Sequence, residues 1–273
     1  MVAGEYSVLI PGQRALLLPT EHAWRFAAER AAVAEFSSDA WTGPVSAANL
    51  DPETQAHVRS AYLYGSRLLS LYQRRPIPHR ISIQGPKLTW AQGAKGLGSS
   101  SAVVTGVLKT MLKVHGLELL PDRLFKVSWL AHAHAQGQVG SGCDLAVQIA
   151  AGPVLFTSLD RSVTMLTPPE QLWLDALETP WDHRIDAVTV PFGLQVALAP
   201  LAQTVTTAAH IARFDALPRE VLEITALARA NQIVIDAWMR ADVLGLVSGI
   251  KVYQAALFDM AKRLFPEIGR AHV

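Results

Sequence analysis

Residues 93–116 constrain this chain more than any other stretch. Gly93-Ala94-Lys95-Gly96-Leu97-Gly98 runs into Ser99-Ser100-Ser101, after which Ala102, Val103, Val107, Leu108, Met111 and Leu112 recur at helical spacing up to Gly116. A glycine-rich loop opening a helix fits that pattern, since glycine admits backbone turns that other residues resist, serine caps helices and the apolar stripe has to be buried. The first amides of a helix have no partner within it and carry partial positive charge, so exposed amides here would form an anion site. Lys95 would add a full charge. For Gly96-x-Gly98 alone, a capped helix after an ordinary glycine turn is the better account. The whole string from Lys95 to Ala102 reverses that preference.

The rest of the chain can supply a frame for such a site. With 273 residues, half of them hydrophobic, it can bury a core large enough for one large or two modest domains. Lys and Arg total 24 against 23 Asp and Glu, so no uniform charge points to nucleic acid or to an acidic membrane surface. Cys143 is the sole cysteine, which excludes an intramolecular disulfide and a multi-cysteine zinc site and fits a reducing compartment, with the cytoplasm as default. The first eleven residues lack the basic and long apolar regions of a signal peptide, and no run of 18 apolar residues is free of polar interruption, so no membrane span is expected.

Periodicity predicts two short strands around Pro11-Gly12-Gln13, formed by Val8-Leu9-Ile10 and by residues 15–18. It predicts helices over residues 53–73 and from Pro121 to about Gln136, and a strand over residues 79–84 in which Ile81 and Ile83 share one side. Gly140-Ser141-Gly142 precedes a further helical stretch over residues 144–150. Residues 154–157 and 193–198 read as buried strands, and residues 219–230 and 231–264 as helices broken near Gly245 and Gly249. A soft domain boundary falls near Ala187.

The string from Lys95 to Ala102 resembles the Gly-Leu-Gly-Ser-Ser-Ala phosphate loop of the GHMP kinases, the superfamily of galactokinase, homoserine kinase, mevalonate kinase and phosphomevalonate kinase. Two more segments fit in the same order. Gly4-Glu5-Tyr6-Ser7-Val8-Leu9 is similar to the Gly-Glu-Tyr-Ala-Val-Leu element of the phosphomevalonate kinase branch, and Gly140-Ser141-Gly142-Cys143-Asp144 with Ala151-Gly152 is similar to its Gly-Ser-Gly-x-Asp segment. A weaker fourth match lies at Gln203-Thr204-Val205-Thr206-Thr207, which reads equally well as a surface turn of small polar residues.

The resemblance implies an α+β fold of two domains: a ribosomal-protein-S5-like N-terminal domain over residues 1–187 carrying the phosphate loop, and a truncated ferredoxin-like C-terminal domain over 188–267. Family elements that the resemblance leads one to expect before Gly4 and after Leu264 have no counterpart, so the chain is expected to be cut short at both ends. The last six residues, Ile268-Gly269-Arg270-Ala271-His272-Val273, are what a common sequencing-library adapter encodes in one reading frame before a stop codon, and are expected to be a non-native tail.

The resemblance also implies roles. ATP phosphates would lie on Gly96, Leu97, Gly98, Ser99, Ser100 and Ser101, with Mg²⁺ held by Ser99 or Ser100, a choice the sequence leaves open. Glu5, Tyr6, Ser141, Gly142, Thr206 and Thr207 would face the substrate. Asp144 and Lys95 are the expected catalytic pair. For a hydroxyl acceptor, Asp144 would remove the proton. A phosphate acceptor is already largely dianionic, so Asp144 would instead orient Mg²⁺ or a cation while Lys95, or less well His134, offsets phosphate repulsion. Asp144 reads equally well as a helix N-cap after glycines, Glu5 as a solvated carboxylate at a strand end, and Cys143 as a small buried residue. His132 and His134 are two apart, on different helix faces, which argues against a shared metal.

The function implied is ATP-dependent phosphorylation of 5-phosphomevalonate to 5-diphosphomevalonate in isoprenoid precursor synthesis, on a small-molecule partner without nucleic acid or membrane, a homodimer being left open. Tyr6 is the main reason for that acceptor, because relatives such as mevalonate kinase more often show Gly-Glu-His. A mevalonate or sugar kinase of the same superfamily, a catalytically silent nucleotide-binding homologue and a purely structural helical protein are the rival readings.

Overall fold

The structure, a computed structural model, describes residues 1–21, 23–86, 98–137, 140–160, 167–197, 207–218 and 223–265, with the backbone alone for 207–210. Its strands are β1 (Arg14–Leu17), β2 (Arg25–Arg30), β3 (Glu35–Ser38), β4 (Val45–Ser46), β5 (His79–Gln84), β6 (Val154–Thr157) and β7 (Arg184–Ala187). Its helices are α1 (Ala56–Leu71), α2 (Ser99–Val114), α3 (Pro121–Gln136), α4 (Cys143–Ala150), α5 (Leu174–Glu178), α6 (Thr207–Ala216), α7 (Ile224–Met239) and α8 (Val243–Leu264). They form two compact units: Thr20–Ile149 with Ser162–Trp181, and Met1–Pro19 with Ala150–Arg161 and Asp182–Val273.

In the first unit a four-stranded sheet of order β2-β5-β3-β4 is covered by helices. β5 is antiparallel to β2 and parallel to β3, and its His79, Ile81 and Ile83 turn inward, the alternation the sequence predicts. α1 buries Val58, Ala61, Tyr64, Leu68 and Leu69 against α2 and α3, each large apolar side chain contributing about 1.5–3 kcal/mol. Close approach depends on two glycines. A methyl at Gly65 would sit 3.0 Å from the Met111 thioether, and one at Gly106 would sit 2.2 Å from the Phe26 ring of β2.

Polar groups then lock α3 in place. Ser60 Oγ donates to the Ala131 carbonyl at 2.7 Å, tying α1 to α3. Lys126, only 1% exposed, donates to the Leu177 and Thr179 carbonyls at 2.9 and 2.8 Å and pairs with Asp122 at 2.7 Å, so its buried charge is fully partnered. The helices predicted over 53–73 and 121–136 and at 144–150 correspond to α1, α3 and α4.

The second unit has an antiparallel sheet of order β1-β6-β7, in which Leu16 faces Leu155 and Leu155 faces Asp186. α7 packs on β1 and pairs with α8. Asn231 Nδ2 donates to the Arg14 carbonyl at 2.7 Å, and Gly4 N donates to Tyr253 Oη at 3.1 Å.

Several expectations are corrected here. Val8-Leu9-Ile10 is not a strand: Ser7–Leu9 is a 3-10 turn, because Gly4 and Tyr6 at φ 112° and 59° reverse the chain before it can extend, and Ala3 bridges Leu16 instead. Residues 193–197 form no strand, since Leu194 N closes a turn onto Pro191 and the flanking Phe192 and Val196 are exposed. The helix break is at Ala241, at φ 54°, with Asp242 capping α8 through the Gly245 amide, and α8 runs through Gly245 and Gly249. β2, β3, β4, β7 and α6 carried no clear sequence signal; β2 for one is mostly exposed, so apolar alternation has nothing to mark. Among the described residues α8 is long and apolar enough to cross a membrane by length and composition alone. Its Leu246, Gly249, Tyr253, Met260 and Leu264 are buried in the fold.

Candidate active site

α2 begins where the sequence predicts, and its first turn is open. Gly98 takes the left-handed conformation at φ 71° as N-cap, a geometry glycine adopts without strain. Its carbonyl accepts from Ala102 N at 3.0 Å and from Ser101 Oγ at 2.7 Å. The amides of Ser99, Ser100 and Ser101 therefore precede the first helical hydrogen bond and remain donors at a positive helix end. Ser101 is buried and its hydroxyl is committed to the turn.

α4 brings a second helix start to the same place. Gly140 and Gly142 have φ 120° and 77°, and a methyl at Gly142 would lie 2.4 Å from Trp129 Cδ1, so only glycine lets the chain pass α3 there. Trp129 is in turn braced edge-on by Trp181 at 5.9 Å. Ser141 Oγ accepts from Cys143 N at 3.4 Å, opening α4. Asp144 lies in the first helical turn rather than at the N-cap, because α4 starts one residue earlier, at Cys143.

The two starts meet. A methyl at Gly98 would stand 3.4 Å from Asp144 Cβ and 3.7 Å from its Oδ2. The Asp144 carboxylate thus flanks the amide-lined end of α2, where two positive helix ends stabilise negative charge. A carboxylate beside an anion site repels the anion unless a cation lies between them. The donor set suits Mg²⁺, which takes hard oxygen ligands and completes its shell with water and phosphate: Asp144 offers carboxylate oxygens, and Ser99 and Ser100 offer hydroxyls. Among the described residues no cluster of three or more His, Cys, Asp or Glu could hold a metal by protein ligands alone.

Behind this face, His132 Nε2 lies 3.0 Å from Ser100 Oγ, and Gln136 Nε2 donates to the same oxygen at 3.3 Å. His57 of α1 packs against His132 with ring centroids 5.6 Å apart. Burial holds His132 below the ordinary histidine value although Asp144 pulls it up, and burial followed by the His132 charge pushes His57 down to about 4. Cys143 is buried and its thiol is pushed up to about 12, first by burial and then by Asp144, so it is no nucleophile. His134 is exposed and meets the Tyr64 ring at 5.8 Å.

The structure therefore brings together Gly98, Ser99, Ser100, Ser101, Ser141, Gly142 and Asp144 within one compact unit. Lys95, Gly96, Leu97 and Thr206 lie outside the described residues, and Thr207 opens α6 with only its backbone described. Glu5 and Tyr6 belong to the other unit, where Tyr6 stacks on Phe214 at 5.6 Å and its hydroxyl is pushed up to about 12 by burial and then by Glu5. His132 and Gln136 were not anticipated. Their spacing of four on an amphipathic helix was the available signal.

Residues 80–152 match the profile described as GHMP kinases N terminal domain. A curated phosphomevalonate kinase from Streptomyces sp. (strain CL190) is 27% identical over 240 residues, covering 77% of this chain, and the chain spans 61% of that relative's length. The fold superposes on a Streptococcus pneumoniae phosphomevalonate kinase in complex with phosphomevalonate and AMPPNP with a TM-score of 0.79 at 22% identity, covering 95% of this chain and 77% of that one. It superposes on the Lin0012 protein from Listeria innocua with a TM-score of 0.82, also at 22% identity, covering 96% and 77%.

Proposed function

We propose that this chain, whose residues 80–152 match the N-terminal domain model of the GHMP kinases and whose fold superposes on a phosphomevalonate kinase, transfers the terminal phosphoryl group of ATP to 5-phosphomevalonate, giving 5-diphosphomevalonate for isoprenoid precursor synthesis in the cytoplasm. The observation that carries the reading is the apposition of Asp144 to Gly98 at the open first turn of α2. The Streptomyces relative and the pneumococcal neighbour, named as phosphomevalonate kinases, support the choice of acceptor.

Phosphoryl transfer asks mainly for in-line positioning and neutralisation of charge. The amides of Ser99, Ser100 and Ser101 would bind the donor phosphates, continuing onto Leu97 and Gly96. Ser99 or Ser100, with Asp144, would hold Mg²⁺, which would supply neutralisation of the donor phosphates' charge. Lys95 would offset repulsion between donor and acceptor phosphates. The acceptor phosphate is largely dianionic at neutral pH, so Asp144 serves to orient charge rather than to remove a proton. Ser141 and Gly142 would bound the acceptor on the α4 side, and Glu5, Tyr6, Thr206 and Thr207 are the further candidate substrate contacts. The soft domain boundary near Ala187 belongs to the same reading.

The test is ADP release by purified full-length protein offered 5-phosphomevalonate, mevalonate and a panel of sugars. The expected result is a kcat/KM for 5-phosphomevalonate higher than for the others by about two orders of magnitude or more, as a site built for a polar group rejects acceptors lacking it. Preference for mevalonate would move the assignment to that kinase. Nucleotide binding without turnover on any acceptor would identify a silent homologue.

A further inference from the structure

Two hydrogen-bonding groups converge on one hydroxyl in the first turn of α2. Ser100 opens α2, and its hydroxyl is met from α3 by His132 Nε2 at 3.0 Å and by Gln136 Nε2 at 3.3 Å. An unsupported serine at a helix start samples several rotamers, and each aims its lone pairs differently. Ser100 is not unsupported. We propose that His132, assisted by Gln136, is the positioning residue that sets the Ser100 hydroxyl towards the metal of a bound nucleotide, a role that rests on the nucleotide site described above.

The directions of the bonds carry the argument. The Gln136 amide nitrogen can only donate, so it uses one lone pair of Ser100 Oγ. With the His132 ring proton on Nδ1, the tautomer this role requires, Nε2 accepts the Ser100 proton. That leaves one lone pair on the oxygen uncommitted among the described residues, on a hydroxyl whose proton is already drawn away. Such an oxygen is a better ligand for a hard cation, as partners behind a metal ligand commonly fix its orientation and raise its basicity. His132 is 6% exposed and a nitrogen base, so it suits the supporting place rather than direct ligation of Mg²⁺.

The support is itself held. α3 is tied to α1 through Ser60 and the Ala131 carbonyl, one residue before His132. The His57 ring packs against His132, and Lys126 secures the start of α3 to the chain around α5. The same geometry separates the two candidate serines: among the described residues no side-chain hydrogen bond orients the hydroxyl of Ser99, whereas Ser100 is set by two.

The experiment is calorimetric binding of AMP-PNP, once with Mg²⁺ and once with EDTA, to the full-length wild type, His132→Leu, His132→Gln and Gln136→Leu. His132→Leu is expected to weaken binding about tenfold with Mg²⁺, the worth of one well-made hydrogen bond, and less than about twofold in EDTA. His132→Gln, which places an amide near the Nε2 position, is expected to restore most of the loss. Gln136→Leu is expected to show the same metal-dependent pattern at smaller size, and it carries the test if His132→Leu lowers the thermal midpoint. An equal loss in both conditions, or none in either, overturns the positioning role while leaving the nucleotide site intact. A wild type that binds no AMP-PNP overturns the site and the role together.

Discussion

Gly98, Gly142 and Asp144 show how much of the chemistry is set by single residues. The two glycines hold positive φ where a side chain would be strained, and a methyl at Gly142 would collide with Trp129. Asp144 is the residue whose substitution says most about the acceptor. Asp144→Asn keeps the shape and removes the charge. With 5-phosphomevalonate, kcat is expected to fall about tenfold to a hundredfold, less than the 10³ or more that loss of a proton-abstracting base can reach. Steady-state kinetics decide it, and unchanged turnover would take Asp144 out of the mechanism. His57 gives a second handle. Its folded pKa of about 4 is below the unfolded histidine value of about 6.5, so the unfolded chain binds more protons between those limits. Its contribution to stability is complete above about pH 6.5 and is lost as pH falls towards 4. The melting temperature of the wild type should therefore drop more from pH 7 to pH 5 than that of His57→Leu, and parallel drops would refute the assignment.

At the scale of elements, the contact between α2 and β2 is the one on which the start of α2 leans. Gly106 sits in mid-helix, where replacing glycine by alanine on an exposed face would stabilise by about 1 kcal/mol. Here the added methyl meets the Phe26 ring at 2.2 Å, and overpacking of about 1–3 kcal/mol wins. Gly106→Ala should lower the urea midpoint, and adding Phe26→Ala should recover part of it. A midpoint raised by Gly106→Ala alone would mean that α2 does not approach β2 so closely. α3 serves two purposes: its middle braces Gly142 through Trp129, and its last turn presents His132 and Gln136 to Ser100. α1, α3, α4, β5 and β6 were legible because each is a regular amphipathic or apolar run. The short and exposed strands were not, since their burial is too partial to leave a pattern.

For the molecule as a whole, the site that can be described lies within the unit formed by Thr20–Ile149 with Ser162–Trp181. A ligand that binds only the folded state raises stability by mass action, about 2.7 kcal/mol at a hundredfold excess over Kd, or several degrees for a chain of this size. ADP with Mg²⁺ should therefore raise the melting temperature of the wild type, read by calorimetry or fluorescence. A midpoint indifferent to nucleotide would favour the purely structural helical reading.

The helix that starts at Ser99 and the glycine-rich start of α4 were readable from the residues alone, because each depends on backbone freedom and periodicity over one short stretch. The meeting of Asp144 with Gly98, and of His132 with a serine 32 residues away, came only with tertiary structure. Such contacts are made by the packing of α1, α2, α3 and α4 together, and no local pattern encodes which faces of separate helices will touch. That is also why His132 passed in the sequence as one of two mismatched histidines, and why in the fold it stands directly behind Ser100.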